Sequence, residues 1–242
     1  MRIRLKEKKV INKNTVSFYF EVPEGFSWTP GQYLHYKIED NEADLRGQNR
    51  FFSIASAPFE NTIQLTTRIY DDGSSFKKKL FKLSPGEDIE VNGPRGDFSV
   101  RKGISNYIFI AGGIGITPFR SIIKDMDHSN QPMNISLLYA NKNQEIIFDD
   151  ELDTISSKHP EFKISYFISG ATEALEIASN INIRPGRIDK KAVQSVVKDI
   201  DSTVFYVSGP ETMVYYFEDL LANLGVLRNN ILCDYYIGYK DY

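Results

Sequence analysis

The chain has 242 residues, 41% apolar and 25% charged, with a formal net charge of −3; that mix is globular and supplies core enough for one large or two modest domains. There is no basic surplus to neutralise phosphates, which excludes nucleic acid as a natural partner. The single cysteine, Cys233, excludes a disulfide framework, a zinc site or a cysteine-ligated iron–sulfur cluster built within the chain.

The N-terminus, Met1 to Phe20, is charged and then alternating, with no apolar signal core. No apolar run approaches the ~20 residues that cross a bilayer. A soluble, cytoplasmic protein without a membrane partner is expected. In the first hundred residues, strands are predicted at Val16–Val22, Tyr33–Ile38, Phe51–Ala55, Ile63–Ile69 and Asp88–Val91, with Gly, Pro, Asn or Asp between them. Short strands so punctuated suggest a closed antiparallel barrel or a sandwich. One helix interrupts at Ser74–Leu83, where Phe76, Leu80, Phe81 and Leu83 fall at spacings that one side of a helix can bury.

Within that half, Arg50-Phe51-Phe52-Ser53-Ile54-Ala55-Ser56 places an arginine, aromatic rings and a hydroxyl on one strand, with Arg50 and Phe52 on the same face. Such a set can hold a diphosphate and stack on a ring; a surface arginine beside a half-buried strand explains the same residues. Asp71-Asp72-Gly73-Ser74-Ser75 opens the helix. Free amides and the dipole there favour an anion, and Ser74 as an ordinary N-cap is the competing explanation.

Near residue 104 the pattern changes. Tyr107–Ala111 is a short apolar run, as in a strand buried on both faces. It leads through Gly112-Gly113-Ile114-Gly115-Ile116-Thr117-Pro118 into a helix predicted at Pro118–Met126. Further strands are expected at Ile135–Tyr139, Lys163–Ile168 and Val204–Val207, with helices around Phe148–Ser156, Lys190–Val197 and Thr212–Leu224. Strands alternating with helices imply a parallel sheet covered on both sides. The domains are set at 1–102 and 103–242, the boundary falling within Arg101–Ser105.

The glycine loop follows a buried strand and precedes a helix, the setting in which backbone amides can face a pyrophosphate. It departs from Gly-x-Gly-x-x-Gly because Pro118 stands at the third glycine. Ser208-Gly209-Pro210 ends another buried strand. It is either an ordinary strand-to-helix turn or a second wall of the crevice at the strands' carboxyl ends. No histidine stands out as a catalyst: His35, His128 and His159 are scattered and read as structural or surface groups. No metal-ligand set is expected.

Taken in order and spacing, from Pro30-Gly31-Gln32-Tyr33 to Tyr236-Ile237-Gly238-Tyr239, these motifs resemble the ferredoxin–NADP⁺ reductase family. That family includes the reductase half of flavohaemoglobins and of oxygenase electron-transfer components. The resemblance implies an antiparallel β-barrel flavin domain followed by an α/β parallel-sheet nicotinamide dinucleotide domain, with a C-terminal tail returning to the flavin. It assigns Arg50 to the flavin phosphate, Tyr33, Phe51 and Phe52 to flavin contacts, and Ser53 to the flavin N5. Thr66, Thr67 and Arg68 would line the cofactor, Gly73, Ser74 and Ser75 would hold its pyrophosphate, and Gly93–Phe98 would close the barrel.

In the second domain the resemblance gives Gly112, Gly113, Ile114, Gly115, Ile116, Thr117 and Pro118 to the dinucleotide phosphates. Ser208, Gly209 and Pro210 would lie beside the nicotinamide, and Asp234, Tyr236 and Gly238 belong to the returning tail. Phe52 replaces the family's usual tyrosine, Ser208 a frequent cysteine and Asp234 an occasional glutamate. Ser53, Ser208 and Asp234 are the candidate catalytic residues. The implied reaction takes hydride from NADPH or NADH to FAD and passes electrons to a separate carrier such as ferredoxin, flavodoxin or an oxygenase component. A free-flavin or ferric reductase, or a non-catalytic flavin-binding subunit of a larger complex, remain alternatives. FAD is expected over FMN, since Arg50 and Gly73-Ser74-Ser75 form two anion sites suited to a diphosphate. Lys142, with Arg184 and Arg187, inclines the dinucleotide towards NADPH, while Asn141 suits a bare ribose hydroxyl.

Overall fold

The computed structural model describes residues 1–238 apart from 42, 102 and 105. The chain divides into two compact units, Met1–Ser99 and Val100–Tyr242. Lys102 and Ser105, at the predicted boundary, and Tyr239, at the end of the predicted tail, lie outside the described residues.

The first unit is a six-stranded antiparallel sheet, β1 (Arg2–Asn12), β2 (Thr15–Phe20), β3 (Tyr33–Lys37), β4 (Asn49–Ser53), β5 (Ile63–Arg68) and β6 (Asp88–Arg95), in the order β4-β3-β6-β1-β2-β5. Its two edges meet just past β4, where Ala55 N donates to Gln64 O at 2.8 Å and Gln64 N to Ser56 Oγ at 3.0 Å. Closure removes the exposed edges that an open sheet would leave. Every second residue points inward, so Ile3, Leu5, Val16, Phe18, Phe20, Leu34, Tyr36, Ile63, Leu65, Ile89 and Val91 fill the interior. The one helix, α1 (Ser75–Lys82), adds Phe76 and Leu80 to that core. Its start is set by Ser74, whose hydroxyl accepts from Lys77 N at 3.3 Å. Lys8 Nζ donates to the carbonyls of Phe81 and Leu83 at the other end, at 2.7 and 3.0 Å.

The second unit holds a seven-stranded sheet ordered β10-β11-β9-β8-β7-β12-β13. Its strands are β7 (Asn106–Gly112), β8 (Ile135–Asn141), β9 (Lys163–Ile168), β10 (Leu175–Ala178), β11 (Ile181–Pro185), β12 (Thr203–Pro210) and β13 (Ile231–Tyr236). All pairs are parallel except β10–β11. The helices are α2 (Thr117–His128), α3 (Asp149–Lys158), α4 (Lys190–Val196) and α5 (Glu211–Asn223). Pro118 stands in the first turn of α2, where a missing amide hydrogen is harmless, and Asp189 caps α4 through Ala192 N at 2.7 Å. The chain leaves β7 for β8 on one side and comes back to β12 on the other. The carboxyl ends of β7 and β12 therefore form the switch point where parallel sheets bind ligands.

β1 and the hairpin β10–β11 were not foreseen. In β1 the residues Arg2, Arg4, Lys6, Glu7, Lys8 and Lys9 mask the period of Ile3 and Leu5, yet the strand pairs on both sides, with β2 and β6. β10 is exposed along its length and offers no buried face to read. Among the described residues no helix is long and apolar enough to cross a membrane.

Phe109, fully buried on β7, stacks on Phe119 of α2 at 4.7 Å between centroids and meets Tyr206 of β12 edge-on at 5.3 Å. Phe109→Ala removes the ring that joins sheet to helix. Denaturant unfolding should show a loss of about 3–5 kcal/mol, and a loss under 1 kcal/mol would show that the neighbours collapse into the space.

Candidate flavin and dinucleotide sites

In the first unit, the pairing of β3 with β4 sets Tyr33 opposite Ser53, Leu34 opposite Phe52, His35 opposite Phe51 and Tyr36 opposite Arg50. Directly opposed residues share a face. Leu34, Tyr36 and Phe52 therefore face inward, with the Phe52 ring 5.5 Å from Tyr36 and 6.0 Å from Phe76. Tyr33, His35 and Phe51 face outward, Phe51 being 62% exposed. Its ring stacks on His35 at 4.7 Å and meets Tyr33 edge-on at 5.7 Å. The open aromatic platform is thus built from Tyr33, His35 and Phe51, while Phe52 belongs to the interior. Ser53 is buried at the end of β4.

Arg50 lies across the start of α1. Its guanidinium stands over the Phe76 ring at 5.4 Å, and Nη1 donates to the carbonyls of Arg46, Gly47 and Asn49 at 2.8, 3.2 and 2.5 Å. Gly73 turns the chain into the helix: its amide donates to Tyr70 O at 2.9 Å, and a Cβ there would stand 2.7 Å from the same oxygen. Arg68, at the end of β5, accepts Lys77 Nζ on its carbonyl at 3.0 Å. Thr66 and Thr67 face opposite sides. The Thr66 hydroxyl joins Ser17 at 2.7 Å and Gln64 at 3.1 Å, whereas Thr67 lies opposite Val16.

Asp44 was not singled out from the sequence. Its Oδ2 accepts the Ser75 amide at 2.8 Å, its own amide donates to Ser75 Oγ at 3.1 Å, and Arg46 Nη2 donates to the same carboxylate at 2.9 Å. A carboxylate from a distant loop therefore already sits on the first amide of α1, which identifies this helix start as a place that accepts negative oxygen. The Arg46 side chain first, and then the Ser75 amide, hold the Asp44 carboxyl down at about 2.

In the second unit β7 ends at Gly112, Gly113–Ile116 form a 3₁₀ turn, and α2 begins at Thr117. Gly113 has φ +52°. A Cβ on Gly112 would fall 2.3 Å from Met213 Sδ, and one on Gly115 would fall 2.3 Å from Ser208 O and 2.7 Å from Gly209 Cα. The two strand-end loops touch backbone to backbone, and the glycines make that contact possible. Ser208 Oγ is fully buried beside it with no hydrogen-bond partner among the described residues. A buried hydroxyl in that state has an unmet donor and acceptor.

Around the glycine turn, Tyr139 OH donates to Gly113 O at 3.0 Å, and Thr117 Oγ1 donates to Ile114 O at 3.1 Å. The Thr117 hydroxyl has one proton, so in its 2.7 Å contact with Tyr236 OH the phenol is the donor. Asp234 lies opposite Ser208, and Tyr236 opposite Pro210, in the β12–β13 register. The tail segment is thereby a strand of this sheet, and Gly238 follows it at φ +84°. Asn141, the last residue of β8, is buried, with Nδ2 unpartnered among the described residues. Lys142 beyond it is exposed, and its carbonyl accepts from Gly170 N at 3.3 Å. Arg184 stands over Phe167 and bonds Asn182.

Two further titratable groups have structural partners. His159 Nε2 meets Asp127 at 2.7 Å. Burial, and then Glu218, pushes the Cys233 thiol up to about 12, so it is no thiolate nucleophile.

A closed antiparallel barrel with an aromatic platform and an anion-accepting helix start, joined in sequence to a parallel α/β unit with a glycine turn at its switch point, defines an oxidoreductase that binds FAD and a nicotinamide dinucleotide. Residues 2–100 match the oxidoreductase FAD-binding domain and residues 109–219 the oxidoreductase NAD-binding domain. The chain is 31% identical over 224 residues to sulfhydrogenase 2 subunit gamma of Pyrococcus furiosus, spanning 87% of this chain and 73% of that protein. It is 28% identical over 243 residues to NADH-cytochrome b5 reductase 1 of Dictyostelium discoideum, spanning 95% and 80%. The ferredoxin NADP+ reductase from Neisseria gonorrhoeae with bound FAD and NADP has the same fold, with a TM-score of 0.80 at 18% identity over 97% of this chain and 98% of that one. The chain belongs to the ferredoxin–NADP⁺ reductase-like family of FAD- and NAD-binding oxidoreductases.

Two outcomes test this geometry. Gly115→Ala drives a methyl into the Ser208 carbonyl, and denaturant unfolding should show a loss of about 1–3 kcal/mol; full stability would mean that the loops separate freely. Asp44 has a lowered carboxyl, so its contribution is present above the ordinary value near 4 and fades as pH falls towards 2. Asp44→Asn should flatten the acid limb of the stability curve across that window, and an unchanged limb would show that the contact contributes nothing.

Proposed function

We propose that the protein is an NAD(P)H-dependent flavoprotein reductase that delivers electrons to a separate carrier protein. FAD, when bound, supplies the conversion between a two-electron hydride donor and one-electron acceptors. The first unit offers Tyr33 and Phe51 as ring contacts and Arg50 with Gly73, Ser74 and Ser75 as phosphate partners. The Asp44 carboxylate on the Ser75 amide supports that choice, because an internal anion already uses the helix start. In the second unit the turn from Gly112 to Pro118 is proposed for the dinucleotide phosphates. The close backbone contact of the two strand-end loops at Gly115 and Ser208, which sets the glycine turn at the sheet's switch point, is the observation that carries the reading. Ser208, its hydroxyl buried beneath that contact, is proposed as part of the wall beside the nicotinamide. Ser53 is proposed at the flavin and Asp234 beside Ser208, both as positioning groups. No residue is required to move a proton to or from carbon in a hydride transfer.

The acceptor is proposed to be a separate protein because a single cysteine cannot ligate an iron–sulfur cluster within the chain. The 31% identity to a subunit of a sulfhydrogenase favours a second reading, an electron-transferring subunit of a larger complex. Both use the same sites. The donor is NADPH or NADH: Lys142 would favour a 2′-phosphate, and the free Asn141 amide a hydroxyl.

The purified protein should be yellow, release FAD on heating, and bleach near the flavin band on anaerobic addition of NADPH or NADH. A colourless protein that takes up no FAD would overturn the reading. Arg50→Ala removes a charge-assisted phosphate contact of about 1.5–3 kcal/mol. Its FAD affinity should fall about 10- to 100-fold, and unchanged occupancy in dilute protein would assign Arg50 to the loop carbonyls alone.

A further inference from the structure

The glycine turn has a weak point that its sequence does not advertise. Gly113, at φ +52°, carries no Cβ, so the peptide plane between Gly113 and Ile114 can rotate at little steric cost. That plane decides where the Ile114 amide points, because a planar trans peptide sends its N–H and C=O in opposite directions. Ile114 lies in the first turn of the 3₁₀ segment, whose leading amides have no partner within the turn and are the natural donors to an anion.

One side-chain contact braces the plane from below, beside the turn's own 3₁₀ bonding. Tyr139, on the neighbouring strand β8 and fully buried, donates its phenolic hydrogen to Gly113 O at 3.0 Å. Its other carbonyl neighbour, Ile147 O, lies at 3.5 Å, too far to compete well for a single proton. With the Gly113 carbonyl held towards the sheet, the Ile114 amide faces away from it. The next carbonyl, Ile114 O, accepts both Thr117 Oγ1 at 3.1 Å and the Thr117 amide, so side-chain hydroxyls reinforce the turn's own 3₁₀ bonding.

We propose that Tyr139 is a positioning residue for dinucleotide binding, its hydroxyl holding the Gly113–Ile114 peptide so that the Ile114 amide is presented to a pyrophosphate. This rests on the assignment of the glycine turn to the dinucleotide phosphates. Tyr139 touches no substrate. Its ring belongs to the core, 6.1 Å from the ring of Tyr166, and only its oxygen concerns the turn.

The two rings supply the comparison. Tyr166 is as buried as Tyr139, but its hydroxyl donates to Asp153 at 2.5 Å, away from the turn. Tyr139→Phe and Tyr166→Phe are compared with wild type as FAD-loaded full chains. KM and kcat are measured for NADH and NADPH with ferricyanide as acceptor, together with inhibition by inorganic pyrophosphate. Tyr139→Phe should raise KM and the pyrophosphate inhibition constant together by about 2- to 13-fold, the size of one hydrogen bond. Its kcat should stay within twofold and its FAD content unchanged, while Tyr166→Phe leaves KM alone. Hydrogen exchange provides a second reading in the folded protein, with the Ile114 amide exchanging faster in Tyr139→Phe. An unaltered KM, or a KM that rises equally in both variants, overturns the inference and leaves the functional assignment standing. A wild type that neither dinucleotide reduces overturns that assignment and this inference with it.

Discussion

The second unit depends on a contact that has no side chain in it. At the switch point of the parallel sheet, the loop leaving β7 and the loop leaving β12 approach until Gly115 faces the Ser208 carbonyl and Gly112 faces Gly209. Any Cβ at Gly115 would overlap backbone, which cannot swing aside as a side chain can. The consequence spreads outward. Because the loops touch, Ser208 Oγ is sealed in beside them, Met213 of α5 packs over Gly112, and the start of α2 is fixed relative to β12. The glycines are commonly read as room for a phosphate, yet Gly112 and Gly115 are needed first for the protein to pack against itself. The turn between them, at Gly113, is the part proposed to face a ligand.

The first unit solves a different problem. The interior of this barrel is filled by its own side chains, so the cofactor proposed for it would lie on the outside, on what the strands leave exposed. Alternation along β3 and β4 leaves Tyr33, His35 and Phe51, and the loop before β4 is tied to α1 by Asp44 on Ser75 and by Asp40, whose carboxylate meets Lys79 at 2.7 Å. Both ties are acid-to-helix contacts, and the first uses a backbone amide. Any phosphate that uses the Ser75 amide shares it with Asp44 or displaces it. The loop over α1 and the occupancy of that helix start are thus linked by one hydrogen bond.

Where periodicity and punctuation agree, the sequence is readable. β7, predicted as Tyr107–Ala111, runs Asn106–Gly112; α1, predicted as Ser74–Leu83, runs Ser75–Lys82 with Ser74 as its cap; β9 matches its predicted span. The setting of the glycine turn, between a buried strand and a helix, was legible too, because glycine loops after buried strands have one common setting. What was hidden depends on pairing. Whether Phe51 or Phe52 faces outward follows from the register of β4 against β3, which no local pattern reveals in a run of two phenylalanines. β1 hid beneath its charges. Asp44 and Tyr139 act on backbone atoms 31 and 26 residues away, and nothing in Ala-Asp-Leu or Leu-Tyr-Ala signals that. Ser208 was chosen for its place in a motif; that its hydroxyl lacks a partner is visible only in three dimensions.

The chemistry suited to this architecture follows from what its groups can and cannot do. The proposed sites are made largely of amides, hydroxyls and rings held by backbone geometry, and two ionisable groups near the β12 turn are pushed up by burial. Cys233, one residue before Asp234, is pushed up to about 12, and Tyr206, two before Ser208, also to about 12, in each case chiefly by burial. Groups so displaced are poor proton shuttles near pH 7. A hydride moving between two bound rings needs no shuttle; it needs the rings held at a fixed separation and angle. Backbone contacts such as Gly115 against Ser208 hold the turn of the second unit more rigidly than long side chains would, which must be ordered at an entropic cost. A fold that commits its glycines to self-contact, with a tyrosine hydroxyl on the Gly113 carbonyl, is suited to holding bound groups in a fixed orientation.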